Sequence, residues 1–213
     1  MGNIIDNALE YAKKIFEDDY SGHDFFHTFR AYKMATRIAI EEKANIEIVQ
    51  LAILLHDVDD IKLSPGTHAK KDRARQFLSE NNVDKETIDI ICQIIDEVSY
   101  KGKDSVTPST LESKCVQDAD RLDAMGAIGI ARAFAYGGNH SRIMHNPNAK
   151  PHLNMNAEEY INSKSTTINH FYEKLFNLKK LMNTNSAKKI ALSREAYMKS
   201  FIAEFMDEWD GIK

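Results

Sequence analysis

The segment LAILLHDVDD, residues 51–60, ends a nearly unbroken apolar run in an adjacent imidazole and carboxylate, His56 and Asp57. Ile46, Ile48, Val49, Leu51, Ala52, Ile53, Leu54 and Leu55 cover almost every direction around a helix, the pattern of a helix buried on most sides. Burying an imidazole and a carboxylate at its end is costly unless each finds a hydrogen-bond partner or a metal ion. A plainer reading stays open, in which the helix emerges into water and the acids are solvated. Two more groups raise the same question. Asp120 interrupts a small, apolar stripe (Val116, Asp120, Ala124, Ala127, Ala131), where a lone aspartate is ordinarily a cap or a salt-bridge partner. His27 lies in SGHDFFHTFRAY, in the first turn of a helix that Asp24 can cap; alone, it reads as a satisfied core or surface histidine.

Taken together, the pieces are two imidazoles and two carboxylates from three helices. Mixed nitrogen and oxygen donors suit Mn²⁺, Mg²⁺, Fe²⁺, Ni²⁺ or Zn²⁺ without selecting one. Four protein ligands around a six-coordinate ion leave room for a water and a substrate oxygen. Such an open site acidifies water and polarises a phosphoryl group. A structural zinc would more often use cysteines. Here Cys92 and Cys115 form no CxxC pair, and each lies in a helical apolar pattern, which reads as two buried free thiols of a reducing cytosol.

The elements that position these groups are helical nearly throughout. The 213 residues suffice for one sizeable domain, and 43% hydrophobic with 28% charged is the balance of an ordinary globular protein. A net charge of -4 argues against a general nucleic-acid or membrane-surface binder. No run reaches the roughly 18 apolar residues of a membrane span. The amphipathic N-terminus is unlike a signal peptide, so a cytoplasmic location is expected. Helical spacing is read in NALEYAKKIF, in FRAYKMATRIAI, from Asn45 to about His56, from about His68 to Glu80, and in VDKETIDIICQIIDEV behind the cap Asp84. LESKCVQDADRLDAMGAIGIARAF reads as one long helix, and two more are expected over about 156–182 and 186–209, with MNTNS as the turn between them. The expected architecture is a single all-α domain of seven or eight helices, with the candidate metal site in about 20–135 and C-terminal helices packing on it.

The pattern H…HD…D, in its surroundings GHDFFHTFRAYKMA, AILLHDVDDIK, VQDADRLDAMGAIGIARAFAYGG and INHFYEKLFNLKKLMNTNSAKKIA, resembles the HD-domain metal-dependent phosphohydrolases. The likeness is to their compact bacterial single-domain subgroup and runs from about residue 20 to 205. It implies that His27, His56, Asp57 and Asp120 ligate one divalent ion per chain, with Mn²⁺ favoured. It also implies hydrolysis of a nucleoside triphosphate or related nucleotide with release of pyrophosphate. Phosphomonoester and cyclic-nucleotide hydrolysis occur elsewhere in the superfamily, but the GYP motif of the cyclic-di-GMP branch is absent.

Roles for other residues follow from their neighbourhood. Arg30, one turn beyond His27, is a candidate for offsetting phosphate charge, and so is Lys62, close behind the HD pair. Arg121, roughly 100° around the helix from Asp120, and His140, in the loop with His145, complete the substrate-contact candidates. Asp57, Asp60 and Glu97 are candidates for accepting or orienting a proton; for Glu97 a capping role is the alternative. Asp59 and Asp60 are also possible partners orienting His56. His68 is the only histidine between the HD pair and Asp120, which favours one metal over two. His170 reads as structural. The expected ligand is a small phosphorylated molecule, with neither a nucleic-acid polymer nor a membrane as partner, on a monomer or homodimer.

Overall fold

The computed structural model describes residues 3–17, 24–59, 66–67, 69–163 and 165–213, with 160 and 161 as backbone only. Among them are ten α-helices, two 3₁₀ segments and no strand. The chain divides into two compact units, Met1–Tyr100 with Val106–Asp120, and Lys101–Ser105 with Arg121–Lys213.

The first unit is built around α3 (Ile46–Leu55), against which α1 (Ile4–Ile15), α2 (Phe25–Glu42) and α5 (Lys85–Val98) pack. Leu51, Ala52, Ile53, Leu54 and Leu55 are all buried, as the all-round apolar pattern requires. On α2, Ala31, Ala35 and Ala39 are small and fully buried, which lets helix backbones come close. A shorter helix, α4 (Asp72–Glu80), packs on α5, and α6 (Leu111–Asp123) buries Cys115, Val116 and Ala119. Cys92 and Cys115 are free, buried thiols. Burial, with Asp118, Glu42 and Glu112 adding to it, pushes the Cys115 thiol up to about 12.

Side-chain caps set where these helices begin. The Asp24 carboxylate accepts the His27 amide at 2.7 Å, Asn45 accepts from Ile48, and Asp84 accepts from Thr87 at 3.0 Å. Each such cap contributes about 1 kcal/mol and fixes the phase of the turn that follows. For α2 that phase decides which way His27 faces.

The second unit contains α7 (Gly126–Asn139), α8 (Ala157–Asn162), α9 (Thr167–Glu173), the 3₁₀ segment Leu175–Leu181 and α10 (Asn185–Trp209). Phe134 lies 5.9–6.3 Å from Phe171, Phe201 and Phe205, a cluster of rings of which Phe171 is fully buried. Thr184 in the MNTNS turn caps α10 through the Ala187 amide.

Three expectations are corrected. The helix read over 111–134 is broken: α6 stops at Asp123, Met125 is extended, and α7 restarts at Gly126 with φ +71°. That left-handed backbone suits glycine, and a Cβ there would lie 3.1 Å from Arg194 Cγ. The helix read over 156–182 is three pieces. Thr166 caps α9 by accepting the Asn169 amide, and Lys174, with φ -132°, separates α9 from the 3₁₀ segment. Among the described residues these breaks raise the count to ten α-helices in place of seven or eight. α4 also starts at Asp72, four residues later than expected.

His170 of α9 is held neutral. Burial first, then Lys174 and Arg142, push its pKa down to about 3. The unfolded chain takes up this proton near pH 6.5, whereas the folded chain refuses it until about pH 3. Stability from this group is therefore complete above pH 6.5 and is lost as pH falls toward 3. Urea unfolding of wild type and His170→Gln at pH 7 and pH 4.5 tests this. Acidification should cost the wild type more than the variant; an equal cost would refute the assignment.

Candidate metal centre

The four residues singled out by type converge in the first unit. His27, in the first turn of α2, is 1% exposed. His56 caps the C-terminus of α3, and Asp57 follows it in a turn. Asp120 lies in the last turns of α6 and is 26% exposed, making it the most accessible of the four. His56 Nε2 is 3.0 Å from Asp57 Oδ2 and 3.8 Å from Asp120 Oδ1. His27 Nε2 is 3.6 Å and 3.4 Å from the same two oxygens. The rings themselves meet edge to face at 5.5 Å.

These separations match a shared coordination sphere. Ligands about 2.1 Å from one ion sit about 3.0 Å apart when adjacent and about 4.2 Å apart when opposed. All four measured distances fall in that interval. His27, His56 and Asp57 each offer a ligand atom within 4.8 Å of the others, so these three could hold a metal ion.

The tautomer of His56 is set by its helix. Its Nδ1 lies 2.7 Å from the Ile53 carbonyl, which can only accept, so Nδ1 carries the proton and the neutral ring turns its Nε2 lone pair inward. Nε2 is buried, and despite the nearby carboxylate it makes no hydrogen bond of acceptable geometry. A buried polar atom left without a partner is costly; a cation at this point would satisfy it. A backbone carbonyl orienting a ligand imidazole is a recurrent device of metal sites.

Electrostatics point the same way. Burial alone would lower the His56 pKa, but the Asp57 and Asp120 carboxylates outweigh it and raise the value. Burial alone would raise the Asp120 pKa, yet His27 and His56 bring it down. The pocket favours positive charge between the carboxylates, so protons and a divalent cation compete for it.

The remaining sequence candidates take varied places. Arg30 is half-buried on α2, one turn beyond His27. Asp60, Lys62, His23 and His68 lie outside the described residues. Asp59 is buried but does not orient His56. Its two oxygens accept the Arg73 and Ala74 amides, tying the His56–Asp59 turn to the start of α4. Glu97 accepts hydrogen bonds from Ser109 and Ser113. Arg121 is 4% exposed and donates to the Leu181 carbonyl at 2.6 Å. His140 ends α7, where its Nδ1 meets the Tyr136 carbonyl at 2.9 Å and its ring stacks on Tyr136 at 3.8 Å. His145 packs edgewise on Trp209.

Sequence reasoning missed the roles of the Ile53 carbonyl and of Asp59. The first had no residue-type signal, since any residue supplies a carbonyl. The second had one: Lys71, at the α4 cap position, offers no cap of its own.

Fold and site together define a class. A family model for the HD domain matches residues 24–125, which include all four converging residues. The chain belongs to the HD-domain family. It is 36% identical over 204 residues to the Bacillus subtilis protein YpgQ, covering 95% of this chain and 92% of that one. Among solved structures it resembles a Lactobacillus plantarum protein with 38% identity and a TM-score of 0.87, covering 99% of both chains. An HD-superfamily hydrolase from Bacillus thuringiensis is 42% identical, with a TM-score of 0.76, over 97% of this chain and 96% of that one. YpgQ has also been solved in complex with ADP; that structure superposes with a TM-score of 0.78 and 30% identity, over 98% of this chain and 100% of that one.

If these groups bind a divalent ion, it will stabilise the folded state. Mn²⁺ at 100 times its dissociation constant should add about 2.7 kcal/mol, read as a rise in Tm by calorimetry. His56→Ala should abolish the rise. An equal rise in the variant would place the binding elsewhere.

Proposed function

We propose that the protein is a metal-dependent phosphohydrolase that acts on a nucleotide, with a nucleoside triphosphate as substrate and pyrophosphate as product. The observation that carries this reading is the convergence of His27, His56, Asp57 and Asp120 around the buried His56 Nε2. A nucleotide as ligand is supported by the ADP complex of YpgQ.

Mn²⁺ is the ion we favour; bound among these residues, a divalent ion supplies Lewis acidity toward water and a phosphoryl oxygen. The chain does the rest. His27 and His56 are buried, and the Ile53 carbonyl orients the His56 ring through its Nδ1. Asp57 and Asp120 carry the negative charge that selects a cation, and Asp57 accepts a proton from an attacking water. Arg30, one turn from His27, offsets charge on the phosphate, because phosphoryl transfer depends mainly on positioning and electrostatics. Burial of the imidazoles reduces the screening of these charges by bulk water.

The test is product analysis. A panel of nucleoside triphosphates, nucleoside monophosphates and cyclic nucleotides is incubated with the protein and Mn²⁺, and pyrophosphate and phosphate are measured separately. Pyrophosphate from triphosphates is expected, lost with chelator and in Asp57→Asn. Phosphate from monophosphates would instead make the protein a phosphomonoesterase. No turnover across the panel, with metal bound, would make it a non-catalytic nucleotide- or metal-binding HD module.

A further inference from the structure

Glu97, at the end of α5, has every acceptor position engaged. Oε1 accepts from the Ser109 hydroxyl at 2.8 Å and from Gln93 at 3.3 Å. Oε2 accepts from the Ser109 amide at 2.9 Å and the Ser113 hydroxyl at 2.5 Å. A carboxylate offers about four lone-pair sites, so the group is saturated. Its main-chain carbonyl accepts the Gln117 side chain at 2.6 Å, and that same amide reaches the Val106 carbonyl at 3.0 Å. Ser113 and Gln117 are fully buried.

Helical geometry gives these contacts a direction. Ser113, Gln117 and Asp120 lie on one stripe of α6: seven residues return to within about 20° of the same direction, and the rise from Ser113 to Asp120 is about 10.5 Å. A slip of one residue would turn Asp120 away by about 100°. One more contact holds this end of α6, the Glu112 carboxylate accepting the Asn45 amide at the start of α3, the helix that ends at His56.

We infer that Glu97 is a positioning residue, not a proton acceptor: it locks the register of α6 against α5 and so delivers Asp120 to the two imidazoles. This rests on reading the four converging residues as a metal centre.

The test measures Mn²⁺ affinity by EPR titration for wild type, Glu97→Gln and Glu97→Ala, at a temperature where circular dichroism shows each fully folded. Glu97→Ala should weaken binding about 10-fold, the scale on which outer partners of metal ligands act. Glu97→Gln, which keeps one acceptor oxygen, should recover part of the loss. The acidic limb of the pH–rate profile should keep its midpoint in both. Unchanged affinity in folded Glu97→Ala would overturn the inference; so would lost turnover with intact affinity and a vanished acidic limb, the signature of a general base. Should Glu97→Ala not fold, Ser113→Ala removes one clasp, and the same readout decides: weaker Mn²⁺ binding supports the role, unchanged binding refutes it. A wild type that binds no Mn²⁺ would fail the metal reading itself, a result distinct from equal binding by wild type and variant.

Discussion

The first unit is organised around the cost of holding two imidazoles and two carboxylates in one largely buried corner. Isolated, each group would pay heavily for leaving water. Together they offset one another only if positive charge, from a proton or a divalent ion, sits between the carboxylates. The raised His56 pKa and the lowered Asp120 pKa express that demand. α3 meets it at its C-terminal half, where Leu51, Ala52, Ile53, Leu54 and Leu55 are all buried just before His56 and Asp57.

Helix ends do most of the positioning. Asp24 starts α2 one turn before His27, and the C-terminus of α3 places His56, whose ring Nδ1–H donates a hydrogen bond to the Ile53 carbonyl of the last turn of α3. Asp59 then stitches the following turn to α4. Helix termini have unsatisfied amides and carbonyls that side chains can claim. A site assembled at such termini is therefore held by hydrogen bonds within and around its own elements, and the apolar core behind it supplies rigidity.

Much of this was legible because local chemistry dictates it. The caps Asp24, Asp84 and the MNTNS turn are read from residue type and a three-residue offset, and α3 from an apolar pattern without a polar face. The breaks at Met125–Gly126 and at Lys174 were not legible. Small residues such as Ala124, Gly126 and Gly129 fit a continuous helix as well as a broken one, and the choice is made by what packs there, Arg194 against Gly126 in particular. Arg121 shows the same limit: no local pattern says that its guanidinium donates to the Leu181 carbonyl, 60 residues along the chain.

The sequence by itself determined the helical class, the buried helix that ends in His56 and Asp57, and the residue types suited to a cation. Each follows from periodicity or from donor chemistry, which are local. Only the tertiary structure decided that four residues spread over 94 positions lie within hydrogen-bond and coordination distance of one another. It also decided which ring nitrogen faces inward and that Glu97 spends its carboxylate on α6. Distances between helices depend on how their side chains interlock. That is a property of pairs of surfaces, and no single stretch of sequence contains it.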